Sequence, residues 1–456
     1  MLVIQQRITR GRRALQENLI VPGEVLMTRT VASLSALILS ILLLVSGNAF
    51  LTTLLGIRLS LEAIEPSVIG WVLVCYSIGF VLGTLYVHKV IGQVGHIRAF
   101  AVFAALAAVT ALVYPLAVNM VLWAILRVIS GFSIAGVLVV IESWFSSRAT
   151  NTNRGALFAV YQIVFYISAA GGQLVVNLGD PADFIPFTLA AILLTLALIP
   201  LSLTRMAAPV IESTERLSFF TLARQSFTGA AGALVCGVLI GSFYALGPVY
   251  ATMAGLDVAR TSLFMAAAIV AAMILAWPLG RICDRFDRRR VMFVVSMIAA
   301  TTAVVVAMTG SANIPLLMVL VGVFTGFSAT LYPIAVAITN DRMETHRIVA
   351  ASATLLLSYG IGSVIGPIVM AKLISVLGPS GLFWGNAGFL VLLASVTSYR
   401  ISHTPDVPVA DQEHFVAAMP EASVVLAEID PRNEDFYLTP GMEAEVRGPD
   451  DPEPRI

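Results

Sequence analysis

The sequence predicts an all-α membrane protein: twelve transmembrane helices in two pseudo-symmetric six-helix bundles. Three observations predict it. Of the 456 residues, 58% are hydrophobic and only 12% are charged, about half the charged share of a soluble domain. The apolar residues gather in twelve runs of about 20, the length that crosses a hydrocarbon core of roughly 30 Å as a helix. Short patterns also recur between the first six runs and the last six at a nearly constant separation. "SGFSIA" (130–135) and "TGFSAT" (325–330) lie 195 positions apart, as do "SAAGGQ" (168–173) and "SVIGPI" (363–368). Gly83 and Gly280 lie 197 apart. A six-plus-six duplication is the plan of carriers whose site lies between two bundles at mid-membrane.

The elements follow in order. Residues 1–30 form a basic segment with no small-residue cleavage site. The first run therefore reads as a retained helix and not a signal peptide, and Met27 is an alternative start. The first bundle, 31–203, holds runs at 31–55, 67–87, 99–118, 120–144, 155–178 and 184–203. A polar stretch, 204–226, reads as a linker. The second bundle, 227–400, holds runs at 227–251, 260–280, 291–309, 314–339, 348–373 and 380–399. The tail, 401–456, carries 13 acidic residues against 3 arginines. Such a composition predicts a disordered, solvated segment.

Charge fixes the expected orientation. Formal net charge is zero, but the hydrophobic body is basic and the tail acidic. Twenty Lys/Arg fall on the side that holds the N-terminus: five before the first run, then two, two, three, five and two in successive loops, and Arg400. The opposite loops hold only Arg58, Arg260 and Lys372. Positive residues stay inside, so both termini are expected in the cytoplasm and the protein in the cytoplasmic (inner) membrane. There is no phosphate-binding glycine loop, metal-ligand spacing or nucleophile constellation. Cys75, Cys236 and Cys283 are scattered. The expectation is no cofactor, no metal, no enzymatic activity and no nucleic-acid partner. The expected partners are a small-molecule substrate and membrane lipids, with the carrier working as a monomer.

The densest charge cluster is "GRICDRFDRRR", Gly280 to Arg290. It resembles the Gly-x-x-x-Asp-Arg-x-Gly-Arg-Arg signature of the major facilitator superfamily. Gly280, Asp284, Arg285, Arg288 and Arg289 stand at matching positions, and Asp287 replaces the glycine. The resemblance covers about 30–400. It implies the superfamily fold and an alternating-access transporter in which this loop latches the inner gate. Gly280 is expected to let two helices approach and Asp284 to accept hydrogen bonds from a neighbouring helix N-terminus. Arg285 and Arg289 are expected to hold the loop against the other bundle or anionic lipid heads. The family's stronger copy lies between the second and third helices. Here that loop reads "GTLYVHKVIGQVGHIR", with only Gly95, His96 and Arg98 of the basic end retained. "VGHIR" and "IESW" (141–144) resemble a poorly characterised bacterial branch of the superfamily.

Apart from Arg260 and Lys372 at the very ends of their runs, two charges lie within the runs, Arg127 and Glu142, both in the fourth. A charge in the membrane is costly unless paired or facing water, which makes both functional candidates. Arg127, Gly131 and Ala135 share one helix face and resemble the Arg-x-x-x-Gly signature of proton-coupled antiporters. The small residues are expected to open space beside the guanidinium, whose fork matches carboxylate or phosphate. Arg127 therefore reads as a substrate anchor or as the tuner of a proton-carrying group. Glu142 lies about 22 Å farther along the helix. With Arg154-Gly155 it resembles the Glu…Arg-Gly gate element of sugar porters, with Arg98, Arg148 and Arg154 as expected partners. Proton coupling would rest on Glu142 alone, and a uniporter or a substrate-borne proton is the alternative.

Uncharged polar residues outline the expected cavity. Gln162, Tyr166 and Gln173 form a stripe on the fifth run with Tyr161 adjacent. Asn48, Tyr244 and Tyr332 lie on runs that line the cavity in the family. Gly362, Gly366 and Pro367 read as packing or bending elements. The alternative to a transporter is a transporter-derived membrane sensor acting through the acidic tail.

Overall fold

The computed structural model describes residues 23–147, 149, 154–203, 218–343, 347–405, 407–409, 412 and 415–419, with side chains in the first helix from Leu34 onward. Twelve long helices follow in chain order. They are α1 Gly23–Leu61, α2 Pro66–Val94, α3 His96–Val113, α4 Met120–Ser146, α5 Arg154–Val175 and α6 Ile185–Ser202, then α7 Phe227–Met253, α8 Val258–Cys283, α9 Arg288–Thr309, α10 Ile314–Asn340, α11 Ile348–Leu377 and α12 Gly381–His403. A short helix, Phe219–Gln225, precedes α7 in the linker. No strand occurs among the described residues. Each long helix is apolar enough to cross a membrane. Large apolar side chains such as Trp71, Val121 and Leu203 stand exposed on the outside, a surface suited to lipid.

Local chemistry sets several helix starts. The Asn119 side chain accepts from Leu122 N–H at the start of α4, and Asn313 does the same for Leu316 at α10. These caps satisfy otherwise orphaned N–H groups and sit at matching places in the two halves. Asp257 caps α8 through Arg260 N–H at 2.8 Å. Asp287 caps α9 through the N–H groups of Arg289 and Arg290 at 2.8 and 3.0 Å. That capping role explains why aspartate stands where the family signature has glycine.

The two halves pack in the same order. In the first, α2 packs on α4, α1 on α5, and α3 on α4 and α6. In the second, α8 packs on α10, α7 on α11, and α9 on α10 and α12. The bundles meet along α1–α7, α2–α11 and α5–α8. Without a hydrophobic drive between helices in lipid, close approach of small residues does the work. A Cβ on Gly131 would lie 2.1 Å from the Tyr76 carbonyl oxygen, and one on Gly79 2.1 Å from that of Val128. Gly362 and Gly366 meet the Leu234 and Val238 carbonyl oxygens of α7 at 2.0 and 2.3 Å in the same sense.

The helices differ from the sequence expectations at their ends. α1 begins at Gly23, inside the segment expected to precede the first span. α2 continues to Val94, through most of the stretch expected as a loop. It turns at Gly95, whose φ of 83° lies in the region glycine enters without a Cβ clash. That is the backbone reason for the glycine of "VGHIR". His96, expected in a loop, opens α3, is buried, and packs on Trp144 with ring centroids 5.9 Å apart. The "VGHIR" and "IESW" stretches thus form one contact. The disorder expected after residue 401 does not hold for residues 415–419, which pack against the core. Residues 420–456 lie outside the described residues.

Candidate functional site

A cavity of about 180 Å³ lies between the bundles. Its walls come from α1 (Asn48, Thr52, Thr53), α2 (Tyr76, Phe80), α4 (Arg127), α5 (Tyr166, Gln173), α7 (Tyr244) and α11 (Tyr359, Ser363), among others. Four tyrosines and two phenylalanines, Phe80 and Phe165, make it aromatic.

Arg127 is the only charge among the described residues that line it. The side chain is 2% exposed. Its guanidinium carbon lies 4.4 Å from the centre of the Tyr76 ring, a cation–π contact that offsets part of the cost of burial. Its Nε and Nη1 have no hydrogen-bond partner among the described residues. Buried donors are nearly always satisfied, so an unmatched pair in a side chain that lines the cavity is an exception. Tyr76 is held in turn by Asn48, whose Nδ2 donates to the phenol oxygen at 3.0 Å.

The far end of the cavity, away from the basic loops, is sealed. Thr53 donates to Gln173 Oε1 at 2.6 Å. Ser262 of α8 donates to the Gln173 carbonyl at 2.7 Å and accepts from Asn177 Nδ2 at 3.0 Å, joining the bundles. Gly56 lies against Pro248, and Gly70 against Ala371.

Of the residues the sequence singled out for the cavity, Arg127, Asn48, Tyr166, Gln173 and Tyr244 reach it. Three do not. Tyr161 is buried and donates to Glu142 Oε1 at 2.5 Å. Gln162 Nε2 donates to the Ala417 carbonyl, so the expected stripe on α5 is divided between cavity and basic end. Tyr332 packs edge-on against Tyr359, with centroids 5.6 Å apart, behind the wall. Sequence reasoning missed Tyr76, although Tyr76 and Phe80 stand one turn apart on α2 beside the small-residue contact with α4.

The gate residues also depart from expectation. Glu142 is fully buried and is met by a tyrosine. Arg98, an expected partner, is exposed. Arg148 and the Arg154 side chain lie outside the described residues. Gly280 is approached by the Phe415 ring and not by a second helix: a Cβ there would lie 2.9 Å from Phe415 Cδ1. Asp284 accepts from Phe415 N–H at 2.7 Å and not from a helix N-terminus. Arg285 is exposed. Arg289 is buried and reaches the Thr404 carbonyl at 3.2 Å, which braces α9 on the end of α12. Arg288, matched to the signature but given no role of its own, forms a buried ion pair with Asp341 at the end of α10. Gly131 brings α4 against α2 and does not open space beside Arg127. Pro367 lies inside α11, its carbonyl 3.0 Å from where a Cβ on Gly70 would stand.

A model of the Major Facilitator Superfamily matches residues 232–432. The "Uncharacterized MFS-type transporter YcaD" of Escherichia coli (strain K12 / DH10B) is 31% identical over 379 residues, 82% of this chain and 97% of that protein. Its counterpart in Salmonella arizonae is 31% identical over 363 residues, 78% of this chain and 93% of that one. The chain belongs to the major facilitator superfamily. Among superfamily structures, that of the nucleoside transporter NupG superposes with a TM-score of 0.69 at 16% identity, over 82% of this chain and 100% of that one. A bacterial homologue of the human lysosomal transporter Spinster, inward-facing and occupied, gives 0.68 at 12% identity, over 84% and 98%. At such identities the likeness is one of fold. The superfamily assignment makes this chain a multi-pass membrane transporter of a small molecule.

Proposed function

We propose that this transporter carries a small organic anion with an aromatic or apolar body across the cytoplasmic membrane by alternating access, with both termini in the cytoplasm. Arg127 carries the reading. It is a buried cation on the cavity wall, with two donors unmatched among the described residues and a tyrosine ring at its back. A carboxylate or phosphate on the substrate would accept from the guanidinium, whose fork geometry suits both. Tyr166, Tyr244 and Tyr359 line the space for the rest of the molecule. The distribution of basic loops supports an outside position for the sealed end by the positive-inside rule, and with it an inward-facing reading of the arrangement described. Glu142 belongs to the inner gate, where protonation would loosen its bond with Tyr161.

The test is thermal stabilisation of the purified protein in detergent by a panel of metabolites and drugs, beside Arg127→Ala and Arg127→Lys. A ligand at 100 times its Kd stabilises by about 2.7 kcal/mol. Stabilisation confined to anions, abolished in Arg127→Ala and poorly restored in Arg127→Lys, is the expected result. Hits among neutral or cationic amphiphiles that survive both substitutions would overturn the assignment.

A further inference from the structure

Residues 415–419 read FVAAM, an apolar run between Glu413 and Glu421 in an otherwise acidic tail. The chain leaves α12 along the second bundle, where Arg289 and Arg342 donate to the carbonyls of Thr404 and Pro405 at 3.2 and 3.1 Å. It then enters the basic end between the bundles. Phe415 lays its ring on the bare face of Gly280 and gives its N–H to Asp284, both at the end of α8. Two residues on, Ala417 accepts from Gln162 of α5, in the other bundle. Met419 is 4% exposed within the core. Gln162 stands one helical turn below Tyr166, which lines the cavity.

We propose that the opening at the basic end is a peptide-binding vestibule whose ligand is the chain's own FVAAM segment. Bound there, the segment plugs the route to the cavity and keeps the bundles apart at that end. The recognition is that of a peptide. One side chain takes a backbone N–H, another gives to a backbone C=O, and apolar side chains fill the space between, the logic by which grooves hold extended segments. Closing the basic end requires the α5 and α8 faces to approach, and the segment lies between Gln162 and Gly280. A tethered ligand meets its site at high effective concentration, so five residues suffice. The plug and the transport cycle are then exclusive. Its release is the step that a partner or a change in the tail would control. This inference needs only the transporter architecture and stands apart from the choice of an anionic substrate.

Two measurements on the full-length chain in detergent test it, and neither needs a substrate. In a background of Cys75→Ser, Cys236→Ser and Cys283→Ser, the pair Gln162→Cys and Ala417→Cys is treated with a short bis-maleimide. Efficient cross-linking within one chain is expected, and its absence while both thiols label singly would overturn the plug. The second follows a fluorescent synthetic peptide of residues 406–421 by anisotropy. The native chain, its vestibule filled, is expected to bind at least tenfold more weakly than a chain carrying Phe415→Asp and Met419→Asp. A peptide bearing the same two substitutions is expected to lose the binding. Equal binding to both chains, or equal binding of both peptides, would overturn the proposal.

Discussion

Tyr161 and Glu142 illustrate how much one hydroxyl does in an apolar interior. The carboxyl is fully buried and accepts a hydrogen bond from the phenol at 2.5 Å. Tyr161→Phe removes that donor at nearly constant volume. An unmade bond to a buried charged or polar group costs about 1–3 kcal/mol, so the melting temperature in detergent should fall, and an unchanged midpoint would mean that the bond contributes nothing. The Arg288–Asp341 pair carries more. Asp341→Ala takes this carboxylate away from the enclosed Arg288, a loss of about 3–5 kcal/mol. Arg288→Met combined with Asp341→Leu should recover much of it in the same assay. Arg127 and Glu142 were legible in the sequence because charge inside an apolar run stands out against its cost. The partners of Tyr161, Gln162 and Asp284 were not legible. They lie 19, 255 and 131 positions away, and no local pattern encodes such pairings.

Helices of this molecule are joined in pairs by backbone contact at glycine. On α4 a Gly131→Ala side chain would press on the Tyr76 carbonyl at 2.1 Å, and on α11 a Gly362→Ala side chain on Leu234 at 2.0 Å. Overpacking costs typically about 1–3 kcal/mol. Both variants should therefore melt earlier or elute as aggregates, whereas Gly388→Ala, whose Cβ meets nothing within 4 Å, should leave the elution profile and midpoint unchanged or raise the latter. The existence and order of all twelve helices were legible, because a 20-residue apolar run admits little else. Their ends were less so. His88 and Lys89 look like loop residues, yet α2 continues past them to Val94. Polar side chains at a membrane boundary can stay on the helix while their tips reach water. Gly131 and Ala135, read in the sequence as space beside Arg127, instead bring α4 onto α2, since which face a small residue serves depends on the neighbour it meets.

At the scale of the whole molecule, the two bundles are held closed at one end by few polar bonds. Ser262→Ala removes both the bond to the Gln173 carbonyl and the one from Asn177. At about 0.5–1.5 kcal/mol per bond, each loss should raise the population open at that end about two- to twelvefold. Spin labels at Glu62 and Arg260, on opposite bundles beside that end, should report a longer-distance component in pulsed dipolar spectra that grows in the variant. An unchanged distribution would place the seal elsewhere, in the Gly56–Pro248 and Gly70–Ala371 contacts. The two-bundle plan was legible from the repeat at offset 195. Which end is closed was not, because either state of a rocking carrier is compatible with the same apolar runs. The contact between α2 and α4 has a mechanical meaning as well. Arg127 and Glu142 stand on one rod, stiffened along its middle by a second. A load applied at the guanidinium is thus delivered about 22 Å away with little lost to bending, and a tilt of only about 5° swings the carboxyl end by about 2 Å. The pair works as a lever arm: a displacement too small to reshape the cavity is large enough, at its far end, to make or break a hydrogen bond.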